Sequence, residues 1–189
     1  DNIDRAVKKG TGELGGATLE ELTYEGYAAG GVAVIVNCLS DNRNRTAASI
    51  RSYFSKYNSN LAENGSVAWM FHRKARFTVE GEHADEEKLL EALLDAGVDD
   101  VEDVDVSDGY AEILAPPDVF AQVADALDAA GIPISESSID FVPETTVPLT
   151  ELSHVRQVIH LVEAIEEDED VQAVYTNMDV PDELLEAVD

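Results

Sequence analysis

Ala92-Leu93-Leu94-Asp95-Ala96-Gly97-Val98 and Ala126-Leu127-Asp128-Ala129-Ala130-Gly131-Ile132 are two versions of one phrase, and they decide the fold. Each reads as the last turn of a helix stopped by glycine, the residue that most easily takes the left-handed conformation a helix end requires. The first helix spans Asp85 to Ala96 with Leu89, Leu90, Leu93 and Leu94 inward; the second opens at Pro117-Asp118 and runs through Ala130. Strands are expected from Arg76 to Glu80, Val101 to Val106, Tyr110 to Ala115 and Ile134 to Val142. The middle pair flanks Ser107-Asp108-Gly109, a hairpin turn signal. The order is β-α-β-β-α-β, the split-βαβ or ferredoxin-like sequence of elements.

Working outward, Tyr24 begins a strand region and Val32-Ala33-Val34-Ile35-Val36 reads as a buried strand. Ala47, Ile50, Phe54 and Tyr57 follow at helical spacing, with Arg51, Ser52, Ser55 and Lys56 on the other side, and Ser66 to Phe71 is expected as a further apolar strand. Beyond Pro143 come a short strand (Thr145 to Leu149), a helix with Leu152, Val155, Val158, Val162 and Ile165 inward, and a strand from Val171 to Val180. These segments supply a second complete set. The expected fold is therefore α+β: two ferredoxin-like (βαββαβ) modules, one occupying 74–143 and inserted into the middle of the other, which is formed by 18–73 and 144–189. Residues 1–17 read as the end of a helical domain and a Gly-rich linker, since Ile3, Ala6 and Val7 share a face and Gly10 stops the turn.

Charge is distributed unevenly along this chain. Residues 1–76 hold ten Lys/Arg against eight Asp/Glu, a net of +2, whereas 77–189 hold two against thirty-two, a net of −30. A polyanion is repelled by the second part, so any nucleic-acid contact belongs to the first. The acidity itself has a second reading, as a surface suited to high salt or simply to solubility. One cysteine excludes an internal disulfide framework and a Cys-based zinc site within the chain. No apolar run approaches the roughly 20 residues of a membrane span, and no signal-peptide pattern is present, which gives a cytoplasmic expectation, or a mitochondrial one had a transit segment been lost.

Asp41-Asn42-Arg43-Asn44-Arg45-Thr46 is the sharpest candidate site. It opens a helix, where the dipole disfavours cations by roughly 0.3–1 kcal/mol each. Two arginines there fit an anion held by Arg43, Arg45 and the free N–H groups, with Asn42 and Asn44 alongside. The competing reading has Asp41 or Asn42 capping the helix and the arginines paired with Glu25 or Glu63. Arg73, Lys74 and Arg76 form a basic joint between modules, and Lys8 and Lys9 lie in the first segment. Signals for catalysis are poor. Cys38 ends a buried strand without a nearby histidine, and His154 and His160 are six apart rather than four. The Asp99 to Asp108 stretch departs from a calcium loop at its glycine and closing glutamate. No metal, cofactor, small-molecule substrate or membrane is expected, and no enzyme.

The chain resembles the YebC/PmpR family. The resemblance rests on Arg5-Ala6-Val7-Lys8-Lys9-Gly10-Thr11-Gly12-Glu13, Tyr24-Glu25-Gly26-Tyr27, Gly30-Gly31-Val32-Ala33-Val34-Ile35-Val36, and Ser40 with the Asp41 to Thr46 turn. Gly65-Ser66-Val67-Ala68-Trp69-Met70-Phe71 and Val171-Gln172-Ala173-Val174-Tyr175-Thr176-Asn177 extend it. It implies a DNA-binding transcriptional regulator or, as in the mitochondrial translational activator of cytochrome oxidase, a factor acting on translation with ribosomal RNA or the ribosome as partner. The family's Gly-His-Ser-Lys-Trp opening is not in this sequence, and Ala28-Ala29 stands where the family has Gly-Pro. The rival expectation from another class is an acidic module that docks a basic protein partner.

Overall fold

A hairpin opens the first of two compact units. In the computed structural model, which describes residues 18–188, β1 (Glu20–Tyr27) and β2 (Ala33–Ser40) pair antiparallel along their full length. Gly30 and Gly31 make the turn at φ +71° and +81°, a region where a side chain strains the backbone. Asn42 caps α1 (Arg43–Lys56), its side-chain carbonyl accepting the Arg45 N–H at 3.1 Å. Thr46, Ile50 and Phe54 are the buried stripe of that helix. The chain then returns as β3 (Asn60–Ala62), which pairs antiparallel with the far side of β1.

After the second unit, β8 (Val147–Pro148) leads to α4 (Leu152–Glu166) and β9 (Val171–Thr176), which pairs antiparallel with β2. The sheet order is β3-β1-β2-β9. Val155, Val158, Leu161 and Ile165 of α4 share one core with Ile50 and Phe54 of α1 and with Val34, Val36 and Cys38 of β2. On the opposite face of the sheet, Glu25 is only 4% exposed. Its carboxylate accepts three backbone N–H groups, from Gly65 at 2.6 Å, Ala68 at 2.7 Å and Val67 at 3.0 Å.

That bonding corrects one expected strand. The strand expected from Ser66 to Phe71 does not form, because the Val67 and Ala68 N–H groups turn inward onto Glu25 and Ala68–Met70 is a single 3-10 turn. The edge strand is the shorter β3 instead. The short strand expected within 145–149 is present, but outside the main sheet. Here Val147 and Pro148 pair in parallel with β10 (Met178–Asp179) as a separate two-stranded ribbon. The strand between β2 and β3 is β1, so the unit reaches its four-stranded antiparallel sheet by a different connection from the expected one.

The second unit, His72–Val142, follows the split-βαβ plan. β4 (Phe71–Glu80), α2 (Glu86–Asp95), β5 (Asp103–Ser107), β6 (Tyr110–Ala115), α3 (Phe120–Ala129) and β7 (Glu136–Pro143) give the sheet order β5-β6-β4-β7. Phe77, Leu89, Leu93, Ile113, Val123 and Leu127 are the centre of its core. Asp108 (φ 47°) and Gly109 (φ 78°) close the β5–β6 hairpin with the paired left-handed residues that match strand twist. The α+β class therefore stands in both units. Arg73-Lys74-Ala75-Arg76, expected as a joint, lies inside β4 because Ala75, Phe77 and Val79 alternate into the core. The last short helix, α5 (Asp182–Glu186), follows Pro181.

Candidate nucleic-acid interface

α1 is the one described helix of ten or more residues without an acid. It carries Arg43, Arg45, Arg51 and Lys56 in a chain of net charge −28. The four cations do different work. Arg45 is a clamp: its Nη2 stands 2.9 Å and 3.0 Å from the two carboxylate oxygens of Asp170 and 2.8 Å from Asp41 Oδ1, and its Nε donates to Asp170 Oδ2 at 3.3 Å. Asp170 has a side chain 4% exposed, and Thr46 donates its hydroxyl to Asp170 Oδ2 at 2.8 Å while standing 2.6 Å from the Ser40 hydroxyl. A carboxylate so buried needs this counter-charge, since an unpaired one costs several kcal/mol. Arg45 thus fastens the start of α1 to the approach to β9.

This changes where an anion can sit. The hollow beside Arg45 is lined by Ser49, Glu167, Asp168, Glu169 and Asp170. Four carboxylates there oppose the helix dipole, and Asn42 spends its side chain on the cap. The positive ground lies instead along the flank of α1. Arg43 reaches Glu20 at 2.7 Å, with side chains 67% and 48% exposed, so solvent screens the pair. Arg51 follows two turns later and makes no ion pair among the described residues. Both bear on Tyr24, whose hydroxyl pKa is raised by burial and by Cys38, while Arg43 and Arg51 pull it down. Lys56 ends the helix with its Nζ 5.4 Å from the Tyr57 ring centroid. Asn44, Ser52 and Ser55 are exposed alongside.

Among the other expected residues, Lys74 pairs with Glu102, and Arg76 lies 3.1 Å from Glu112 and 3.4 Å from Asp140. Arg73 is exposed and unpaired among the described residues, and Lys8 and Lys9 lie outside those residues. Arg51 and Lys56 were absent from the sequence-derived site; the freedom of α1 from acids over Arg43–Lys56 was the signal that pointed to them. Cys38 is buried and its thiol is pushed up to about 12, first by burial and then by the charges of Asp168 and Asp170, which makes it inert. No helix among the described residues is long and apolar enough to cross a membrane.

Taken together, these features define a class of protein: a strongly acidic, two-unit α+β molecule with one cationic helix flank. A family model described as the second and third domain of TACO1/YebC matches residues 19–178. A "probable transcriptional regulatory protein" of Moorella thermoacetica is 46% identical over 191 residues, covering 100% of this chain and 75% of the relative. One of the same description from Treponema pallidum (strain Nichols) is 46% identical over 185 residues, covering 98% and 74%. The crystal structure of a conserved hypothetical protein from Aquifex aeolicus superposes with a TM-score of 0.82 at 40% identity, over 97% of this chain and 74% of that one. The chain belongs to the TACO1/YebC family, whose bacterial relatives carry the name of regulators rather than enzymes.

Proposed function

We propose that this protein is a non-enzymatic regulator of gene expression that meets the phosphate backbone of folded RNA, as on the ribosome, along the flank of α1. The observation that carries the reading is the four-cation, acid-free helix in a chain of net charge −28. Arg43, Arg51 and Lys56 make the contacts, Asn44, Ser52 and Ser55 add hydrogen bonds, and Arg45 positions the helix through Asp170. Acidic surface elsewhere repels the polyanion and so limits the orientations in which the protein docks. Shape- and phosphate-directed binding suits structured RNA, whose deep, narrow major groove does not admit a reading helix. The relatives' names favour a second reading, duplex DNA at promoters, and the same cations serve it.

Salt-titrated binding to ribosomal RNA and to promoter duplex distinguishes the two. Each lost phosphate contact lowers the slope of log affinity against log salt by about 0.7–0.9. Replacing Arg43, Arg51 and Lys56 together by alanine is expected to lower it by about 2–3 on the true target. Unchanged affinity and slope for both nucleic acids overturns the proposal.

A further inference from the structure

The second unit has an unpartnered edge. β5 ends its sheet, and antiparallel pairing turns every second backbone N–H and C=O of such a strand away from its one neighbour. Beside that edge, under α2, lie two hollows of about 330 and 580 Å³ that share Glu86 and Leu90, the first mainly apolar and the second half acidic. Leu93, Val98 and Val104 are among the apolar lining of the first, and Ala84 and Val106 of the second. Leu90 and Leu94 stand 39% and 65% exposed along the wall of the first. Val104 and Val106 are two positions apart on β5, so the hollows repeat at the period of a pleated strand, about 6.6–6.8 Å.

Charge decides what fits. Residues 85–108 hold eleven Asp/Glu and one Lys; Glu86, Asp99, Glu102 and Asp103 line the first hollow, and Asp85, Glu86 and Glu87 the second. A second copy of this chain would set the same carboxylates against them, and nucleic acid or an anionic membrane would be repelled. We propose that this edge and the hollows beside it bind a basic protein segment in extended conformation, adding a strand to β5. Its alternate apolar side chains enter the two hollows, and the lysines or arginines between them meet the acid rim. An amphipathic helix fits less well, since it leaves the outward backbone groups of β5 without partners. This surface is independent of the α1 flank, and either stands without the other.

The test uses a fluorescein-labelled nine-residue peptide of alternating lysine and valine, a block-ordered isomer of the same composition, and a helix-forming lysine–leucine peptide of equal charge. At 0.15 M salt the alternating peptide is expected to bind the intact chain at least tenfold tighter than either control and to slow amide exchange along β5. L90S/L94S, which alters exposed side chains and no charge, is expected to weaken it at least tenfold. Equal binding of the isomer, tighter binding of the helical peptide, no binding of the alternating one at 100 μM (about −5.5 kcal/mol), or unaltered exchange in β5 at saturation overturns the inference. The exchange measurement needs no variant, so the outcome holds whether or not L90S/L94S folds.

Discussion

Glu25→Ala is the substitution with the largest expected cost outside the hydrocarbon core. The carboxylate is 4% exposed and receives three N–H groups within 3.0 Å. Hydrogen bonds to a charged group contribute roughly 1.5–3 kcal/mol each, and a buried donor left without a partner costs about 1–3 kcal/mol. Water can reach the part-buried N–H groups of Gly65 and Ala68 once the side chain is gone, but the Val67 N–H is buried. The loss is then about 3–5 kcal/mol, a large share of the roughly 5–15 kcal/mol that holds a domain together. Glu25→Gln keeps one acceptor oxygen and presents an NH₂ group to donors, so its cost is about 1–3 kcal/mol. Chemical denaturation measures both. Trp69, the single tryptophan, reports the local event, because its indole N–H donates to the Ser66 carbonyl at 2.9 Å within the tethered segment. Its fluorescence anisotropy should fall in the alanine variant at denaturant concentrations where far-UV ellipticity is still native. A cost below about 1 kcal/mol with unaltered anisotropy would refute the assignment of Glu25 as the tether.

Three other outcomes are expected. Asp170→Ala removes the buried acceptor shared by the Arg45 guanidinium and the Thr46 hydroxyl, leaving them Asp41, Ser40 and the Asn42 carbonyl, and should cost about 2–4 kcal/mol, measured by thermal denaturation; Asp41→Ala, which removes only the more exposed partner, should cost under about 1 kcal/mol. Gly26→Ala should lose about 1–3 kcal/mol, because a Cβ there would stand 2.5 Å from the Asn60 carbonyl and 2.6 Å from the Phe54 ring; a stable variant with β3 still paired in amide exchange would contradict this. Cys38 has a folded-state pKa of about 12 against 9.0 ordinarily. The folded state therefore holds its proton more tightly, the stabilisation is complete below pH 9, and it drains away as pH rises from 9 towards 12. Unfolding free energy should fall more steeply across that window in the natural protein than in Cys38→Ala, by up to about 1.4 kcal/mol per pH unit. Parallel curves would remove Cys38 as the cause.

The helices were legible because their cores follow one rule at a time. Leu89 and Leu93 repeat at helical spacing before Gly97, and Val155, Val158 and Ile165 do so between polar residues. Asp108-Gly109 carries its turn conformation in its composition. The segment Ser66 to Phe71 misled because burial on a run of apolar residues looks the same whether the backbone pairs with a strand or with a distant side chain. What satisfies its Val67 and Ala68 N–H groups is Glu25, 42 and 43 positions away. The Arg45 clamp was hidden for the same reason, its partner Asp170 lying 125 positions along the chain. Both expected partners for the arginines, Glu25 and Glu63, were the wrong acids. Short β3 gave no periodic signal over three residues, and only Gly26 marks where it must approach.

Met70 and Glu144 meet through a backbone bond of 2.8 Å, at the spot where the polypeptide departs the first unit and where it comes back. Pairing β2 with β9 otherwise means closing a loop of well over a hundred residues, as the bond between Ala33 and Asn177 across 144 positions illustrates. Once the βαββαβ segment has folded with β4 beside β7, its part of the detour is already closed and the loop left to close is roughly half as long, which lowers the entropic penalty for the late pairing by about 0.6 kcal/mol. The insertion thereby becomes a kinetic staple for its host: damage to Phe77 or Ile113 should slow the ordering of a sheet that neither residue belongs to.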